Sequence, residues 1–121
     1  MDRRRIGSQA EDIAAEYLTA HGLVLLHRNY RRRLGELDLI ARDSPDVLVI
    51  AEVRTRASEA YGGAAASVDH RKRRRIVRAA QQLLQRERAL ARLRVRFDVI
   101  VVSNLASSTP RVEWIKHAFE A

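Results

Sequence analysis

The chain has 121 residues, 46% of them hydrophobic and 31% charged, enough for one hydrophobic core and incompatible with a disordered tail or a collagen-like repeat. Twenty-three basic residues against fifteen acidic ones give a net charge of +8, which makes a polyanion such as nucleic acid the first partner to consider. Cysteine is absent, so disulfides, thiolate metal sites and cysteine nucleophiles are excluded, and a reducing cytoplasm is compatible with that usage.

From Ser8 onward Ala10, Ile13, Ala14, Tyr17 and Leu18 recur at helical spacing and His21-Gly22 supplies a stop, so the first element is a helix, with Arg3 to Arg5 ahead of it as a frayed basic arm. Glu11, Asp12 and Glu16 stand where a signal peptide would carry its apolar stretch. The longest apolar run, Val47 to Ala51, falls far short of the roughly 20 residues of a spanning helix, so no membrane partner is expected. Leu23 to Arg32 and Gly35 to Arg42 read as strands around a turn at Arg33-Leu34-Gly35, and after a second turn at Asp43-Ser44-Pro45-Asp46 a third strand runs from Asp46 to Arg56. Ser58 to Ser67, with Gly62-Gly63 and a run of alanines, reads as a mobile loop.

Ile76, Ala79, Ala80, Leu83 and Leu84 make one apolar stripe on a second helix expected from Val68 to Arg92. Arg94 to Ser103 alternates, with Val95, Phe97, Val99 and Val101 on one face, and Arg111 to His117 follows a Ser/Thr/Pro turn as the last strand. The order α-β-β-β-α-β-β, without internal repeat or linker, predicts a single α/β domain over 1–121, a mixed sheet of five strands flanked by helices.

Strand geometry places charges side by side. In Gly35-Glu36-Leu37-Asp38-Leu39-Ile40 a period of two sends Glu36, Asp38 and Ile40 to one face and Leu37 and Leu39 to the other, and it aligns Glu52 with Arg54 and Arg56 on the next strand. If those strands are neighbours, Asp38 and Glu52 converge, and with the backbone carbonyl of Val53 they form a hard oxygen site suited to Mg²⁺ or Mn²⁺. A divalent ion so placed would serve phosphodiester hydrolysis by stabilising charge on phosphoryl oxygens and acidifying a bound water. The plain alternative is a pair of strand carboxylates balanced by neighbouring arginines.

Gly7-x-x-x-Glu11-x-x-Ala14, Gly35-Glu36-Leu37-Asp38-Leu39-Ile40-Ala41, Glu52-Val53-Arg54-Thr55-Arg56, Lys72, Arg96-Phe97-Asp98-Val99 and Ala118-Phe119 resemble the bacterial YraN-like family over nearly the whole chain. That family is largely uncharacterised and is assigned to the restriction-endonuclease-like, or PD-(D/E)xK, fold. The resemblance implies a nuclease-type site in which Asp38 and Glu52 hold the metal and Glu11 reaches it from the first helix. The layout is also similar to archaeal Holliday-junction resolvases, dimers acting on branched DNA, which suggests a homodimer working on branched or repair intermediates. One departure stands out: where the superfamily has lysine two residues after the strand glutamate, this chain has Arg54. A guanidinium can stabilise a phosphoryl group but cannot take a proton from water, so Arg54 is a candidate for electrostatic catalysis only. The competing reading is a nucleic-acid-binding protein that keeps the fold without cutting.

Glu11 has two readings, since Ser8-Gln9-Ala10-Glu11 also fits a capping box. Arg71, Lys72, Arg73, Arg74, Arg75 and Arg78 crowd the first turns of the second helix, where the macrodipole disfavours cations, and are therefore expected to contact nucleic-acid phosphates, with a solvated charged face as the alternative. Arg31 to Arg33 form a weaker patch, and Glu36 is expected to pair with an arginine such as Arg33. Asp98 follows Arg96 by one strand repeat and is expected to form a buried ion pair with it. The four histidines show no ligand spacing, and six aromatics do not make a stacking platform for single strands.

Overall fold

In the computed structural model the described residues are 3–56 and 68–121, with side chains from Arg5 onward; the loop expected at Ser58 to Ser67 lies outside them. Helix α1 spans Arg3–Ala20, so the first arginines form its opening turn and are not a frayed arm. Gly22, at φ 90°, ends it by letting the Leu23 N–H return 3.0 Å to the Leu18 carbonyl. Strands β1 (Val24–Arg32), β2 (Gly35–Asp43) and β3 (Val47–Arg56) follow as an antiparallel meander.

Helix α2 covers His70–Arg86 and is shorter than its periodicity predicts. Glu87 leaves helical geometry at φ −114° and ψ 82°, and a 3₁₀ turn over Arg88–Arg92 buries Leu90 before β4 (Arg94–Ser103). The break redirects the chain so that the Arg94 N–H meets the Asp46 carbonyl at 2.8 Å and β4 runs parallel to β3, from Val47↔Arg94 to Arg56↔Ser103. Strand β5 (Arg111–Phe119) extends two residues past the expected end at His117 and completes a mixed five-stranded sheet in the order β1-β2-β3-β4-β5. The expected α/β order and mixed sheet are thus observed.

Each helix covers one face. Ala10, Ala14, Ala15 and Leu18 of α1 pack on Leu39, Ala41, Val49, Ala51, Ile100 and Val102. Ile76, Ala79, Ala80 and Leu83 of α2 pack on Ile40, Leu48, Ile50, Phe97, Val99 and Val101. Leu37 departs from strict alternation: it joins the α2 cluster, whereas Leu39 joins that of α1. The reason is a fork in the sheet. The β2–β3 ladder runs from Asp43↔Val47 to Leu39↔Ala51 and stops there, while β3 stays paired with β4 to Arg56.

Asp98 is fully buried and takes four donors. Arg96 grips it through Nε and Nη2 at 2.9 Å each, as the sequence leads one to expect, and the Trp114 indole N–H at 2.8 Å and the His117 backbone N–H at 2.9 Å complete the set. His117 has φ 54° and lies opposite the register shift between Phe97 and Val99, so this carboxylate holds a bulge in β5.

Candidate functional site

One register step beyond Leu39↔Ala51 lies Asp38 opposite Glu52, at the point where β2 leaves β3. The Asp38 side chain fills the role of the missing ladder partner: its Oδ2 accepts the Val53 N–H at 2.9 Å. Its carboxyl also shares a hydrogen bond with that of Glu52, which is 5% exposed. Burial first, then the Glu52 charge, then smaller contributions from their shared hydrogen bond and from Glu11 push Asp38 up to about 8, against the opposing pull of the Val53 N–H. Asp38 therefore holds its proton at neutral pH when no other cation is near.

Lys72 supplies a cation to this pair, its Nζ lying 2.6 Å from Glu52 Oε1. Asp69 fixes the turn that delivers it, capping α2 by accepting the Lys72 backbone N–H at 2.9 Å. That bond, ahead of other smaller causes, holds the Asp69 carboxyl below its ordinary value. A second anchor is Gly35, where an added Cβ would lie 2.8 Å from the Arg75 carbonyl oxygen; only glycine lets the start of β2 approach the α2 backbone this closely.

Glu11 approaches the fork from the other layer. Helix α1 begins at Arg3, so Ser8 lies inside it, no capping box forms there, and the Glu11 side chain is left for the hollow that Asp38, Glu52, Val53, Arg54 and Lys72 also line, about 470 Å³ in volume. Burial raises its carboxyl above the ordinary value, with a hydrogen bond from Asn29 and the charge of Arg28 opposing and Glu36 and Asp12 adding. Its Oε1 is buried with no hydrogen-bond partner among the described residues, Arg28 Nη2 being 3.8 Å distant.

These residues fit a divalent cation. Two carboxyls adjoin, one of them raised by burial and by the charge of its neighbour, and a third presents a buried oxygen that no described residue donates to. Among the described residues no three Asp, Glu, His or Cys side chains already stand together as a metal cage. The donor set available is Asp38, Glu52 and the Val53 carbonyl, with water for the remainder, which is how Mg²⁺ is commonly held.

The basic run of α2 divides. Arg71, Arg74, Arg75 and Arg78 are exposed at the i, i+3, i+4, i+7 spacing of one helix face. Lys72 and Arg73, expected with the others to contact phosphates, turn elsewhere: Lys72 enters the hollow, and Arg73 donates through Nε to the Val68 carbonyl at 2.6 Å with its guanidinium 5.4 Å from the Phe119 ring centroid. The β1–β2 hairpin, with Arg31, Arg32 and Arg33 exposed, meets α2 at the Gly35–Arg75 contact, so the two basic patches adjoin. Glu36 pairs with Arg31 at 3.3 Å and not with Arg33.

Sequence reasoning missed Lys72 as a member of the carboxylate site. A weak signal existed: every basic position except 72 and 116 is arginine, which sets Lys72 apart from the run it sits in.

Residues 10–102 match the profile described as Uncharacterised protein family UPF0102. The chain belongs to the UPF0102 family. This is the family whose YraN-like members the sequence motifs resemble. A UPF0102 protein of Methylococcus capsulatus is 50% identical over 115 residues, covering 95% of this chain and 90% of that protein. One of Pseudomonas aeruginosa is 44% identical over 116 residues, covering 95% and 92%. One of Paracidovorax citrulli is 50% identical over 121 residues, covering 98% and 84%.

Proposed function

We propose that this UPF0102 protein is a divalent-metal-dependent endonuclease acting on DNA phosphodiester bonds, with branched or repair intermediates as its substrate class. The observation that carries this reading is the convergence of Glu11, Asp38, Glu52 and Lys72 at the fork between β2 and β3, reached from both helical layers. Asp38, Glu52 and the Val53 carbonyl would hold Mg²⁺ or Mn²⁺. When bound, the ion supplies charge stabilisation at the phosphoryl oxygens and a more acidic water.

The chain's own residues do the rest. Lys72 holds Glu52 in place and presents an ammonium beside the carboxylate pair, a compact cation that can stabilise developing charge. Arg54, on the wall of the same hollow, adds a fixed positive charge. Glu11 offers its Oε1, which no described residue hydrogen-bonds to, to a water or to the ion. The exposed arginines of α2, with those of the β1–β2 hairpin beside them, bind the phosphates of the flanking duplex and set the salt dependence of association.

A second reading, a nucleic-acid-binding protein that does not cut, draws on the Lys72–Glu52 ion pair, which satisfies Glu52 without a metal, and on the lack of a ready-made three-ligand cage among the described residues. A nicking assay with Mg²⁺ or Mn²⁺ on duplex, flapped and four-way DNA separates the two. The enzyme reading requires metal-dependent cleavage that Asp38→Ala and Glu52→Ala abolish with binding retained. Binding without cleavage of any of these DNAs decides for the second reading.

A further inference from the structure

Gly7 lies within α1, where glycine is less stable than alanine, and neither its backbone nor its packing against the described residues asks for it. Its φ is not positive, and a Cβ built on it meets no atom of the described residues within 4 Å. Gly35, by contrast, has a protein neighbour that explains it.

The open space beside Gly7 belongs to two hollows. One is the carboxylate hollow of the fork. The other, about 540 Å³, is lined by Gly7, Ser8, Glu11, Asn29, Arg31 and Glu36. Gly7 and Glu11 line both, so the hollows are contiguous across the surface of α1. The second is large enough for one nucleotide and carries donors and acceptors together: the Asn29 amide, the Ser8 hydroxyl, the Arg31 guanidinium and the Glu36 carboxylate. A phosphate needs only donors, whereas a nucleobase edge needs both kinds. Asn29 is held at φ 52° within β1, a conformation for which asparagine is among the better suited residues, and its side chain already bonds to Glu11.

We infer that Gly7 is kept bare for a ligand: the sugar-phosphate strand crosses α1 there, and the nucleotide next to the reacting phosphodiester seats in the hollow formed by Ser8, Asn29, Arg31 and Glu36. This rests on the nuclease reading and deepens it by naming where the strand runs. A methyl group at position 7 would stand between the strand and the helix, and a longer side chain would fill the crossing.

The test compares wild type with Gly7→Ala and Gly7→Leu in two measurements: thermal unfolding, and binding of a fluorescein-labelled flapped DNA with Ca²⁺ in place of Mg²⁺, with Mn²⁺-dependent cleavage scored in parallel. Both residues are good helix formers, so the expected melting points equal or exceed that of wild type. Binding by Gly7→Leu should weaken about tenfold or more, and that by Gly7→Ala by less. Asn29→Ala should weaken binding of the flapped DNA while leaving the salt dependence as it is, because no phosphate contact is removed. Unchanged binding and cleavage by the Gly7 variants overturn the inference and leave the nuclease reading standing. A lowered melting point in Gly7→Ala also overturns it, since the glycine would then be structural. Wild type that neither binds nor cuts DNA overturns the nuclease reading and this subsite with it.

Discussion

Lys72 and Glu52 belong to different elements, α2 and β3, yet Nζ and Oε1 lie 2.6 Å from each other. The pairing puts an ammonium at the carboxylate pair while the strand position two residues after Glu52 carries Arg54. Under the nuclease reading Lys72→Ala lowers the cleavage rate by about a hundredfold with DNA binding retained, the scale of losing one preorganised charge at a reacting group. Arg54→Lys leaves the rate nearly unchanged, because a lysine is already present. Single-turnover cleavage with Mn²⁺ measures both, and equal rates for Lys72→Ala and wild type would remove Lys72 from the mechanism.

The elevated Asp38 carboxyl gives a stability profile of definite sign. In the unfolded chain the group ionises above 3.8, whereas in the fold it keeps its proton up to about 8. Between those values the folded state binds more protons, so the stabilising contribution present below the lower value is lost as pH rises, by up to about 1.4 kcal/mol per pH unit. Melts in EDTA should show stability declining over this window, and Asp38→Asn should remove the decline. Mn²⁺ should raise the melting point most at the alkaline end, where the deprotonated pair binds it best.

Gly35→Ala drives a methyl group into the Arg75 carbonyl and must move α2 or β2. A loss of about 1–3 kcal/mol in urea unfolding is expected from overpacking of this kind. Under the nuclease reading, cleavage by the folded fraction should fall too, because α2 carries Lys72. Retained stability would mean that the hairpin yields without disturbing the helix.

Arg71, Arg74, Arg75 and Arg78 face outward, and Arg73 does not. If these arginines bind DNA as proposed, replacing Arg74 and Arg78 by alanine should reduce the slope of log K against log salt by about 0.9 for each DNA phosphate that is no longer neutralised. Arg73→Ala should leave the slope alone and lower stability, since it removes the bond to the Val68 carbonyl and the stacking of the guanidinium on Phe119. Fluorescence anisotropy over a salt series distinguishes the two classes.

The α-β-β-β-α-β-β order was legible because each element carries its own period: the Ile76 to Leu83 stripe, the alternation from Val95 to Val101, and turn residues between strands. Asp38 and Glu52 were legible as a pair because a hairpin register is local. Lys72 was not, because its position depends on a crossover from β3 to β4 whose path no periodicity encodes. The end of α2 at Arg86 was missed for a related reason: the Glu87 break answers the need to bring Arg94 beside Asp46, a tertiary demand. Leu37 changed faces because strict alternation assumes a continuous ladder, and the ladder divides at Asp38.

Asp98 carries the last prediction. Although it is a strand carboxylate, as Asp38 is, its four donors leave it no capacity for chemistry. Asp98→Ala takes the paired Nε and Nη2 contact from Arg96, leaving it Asp43 at 3.1 Å, and frees the bulge at His117, with an expected loss of about 3–5 kcal/mol in denaturant unfolding, the scale of breaking a buried pair.

That same bulge lies on an outer strand, whose far side has no neighbour in the sheet among the described residues. A straight rim of peptide groups invites lateral addition of another chain, and a kinked one discourages it. Because Asp98 pins that kink from within, loss of this one carboxylate is expected to leave the molecule readier to grow sideways into aggregates as its concentration rises.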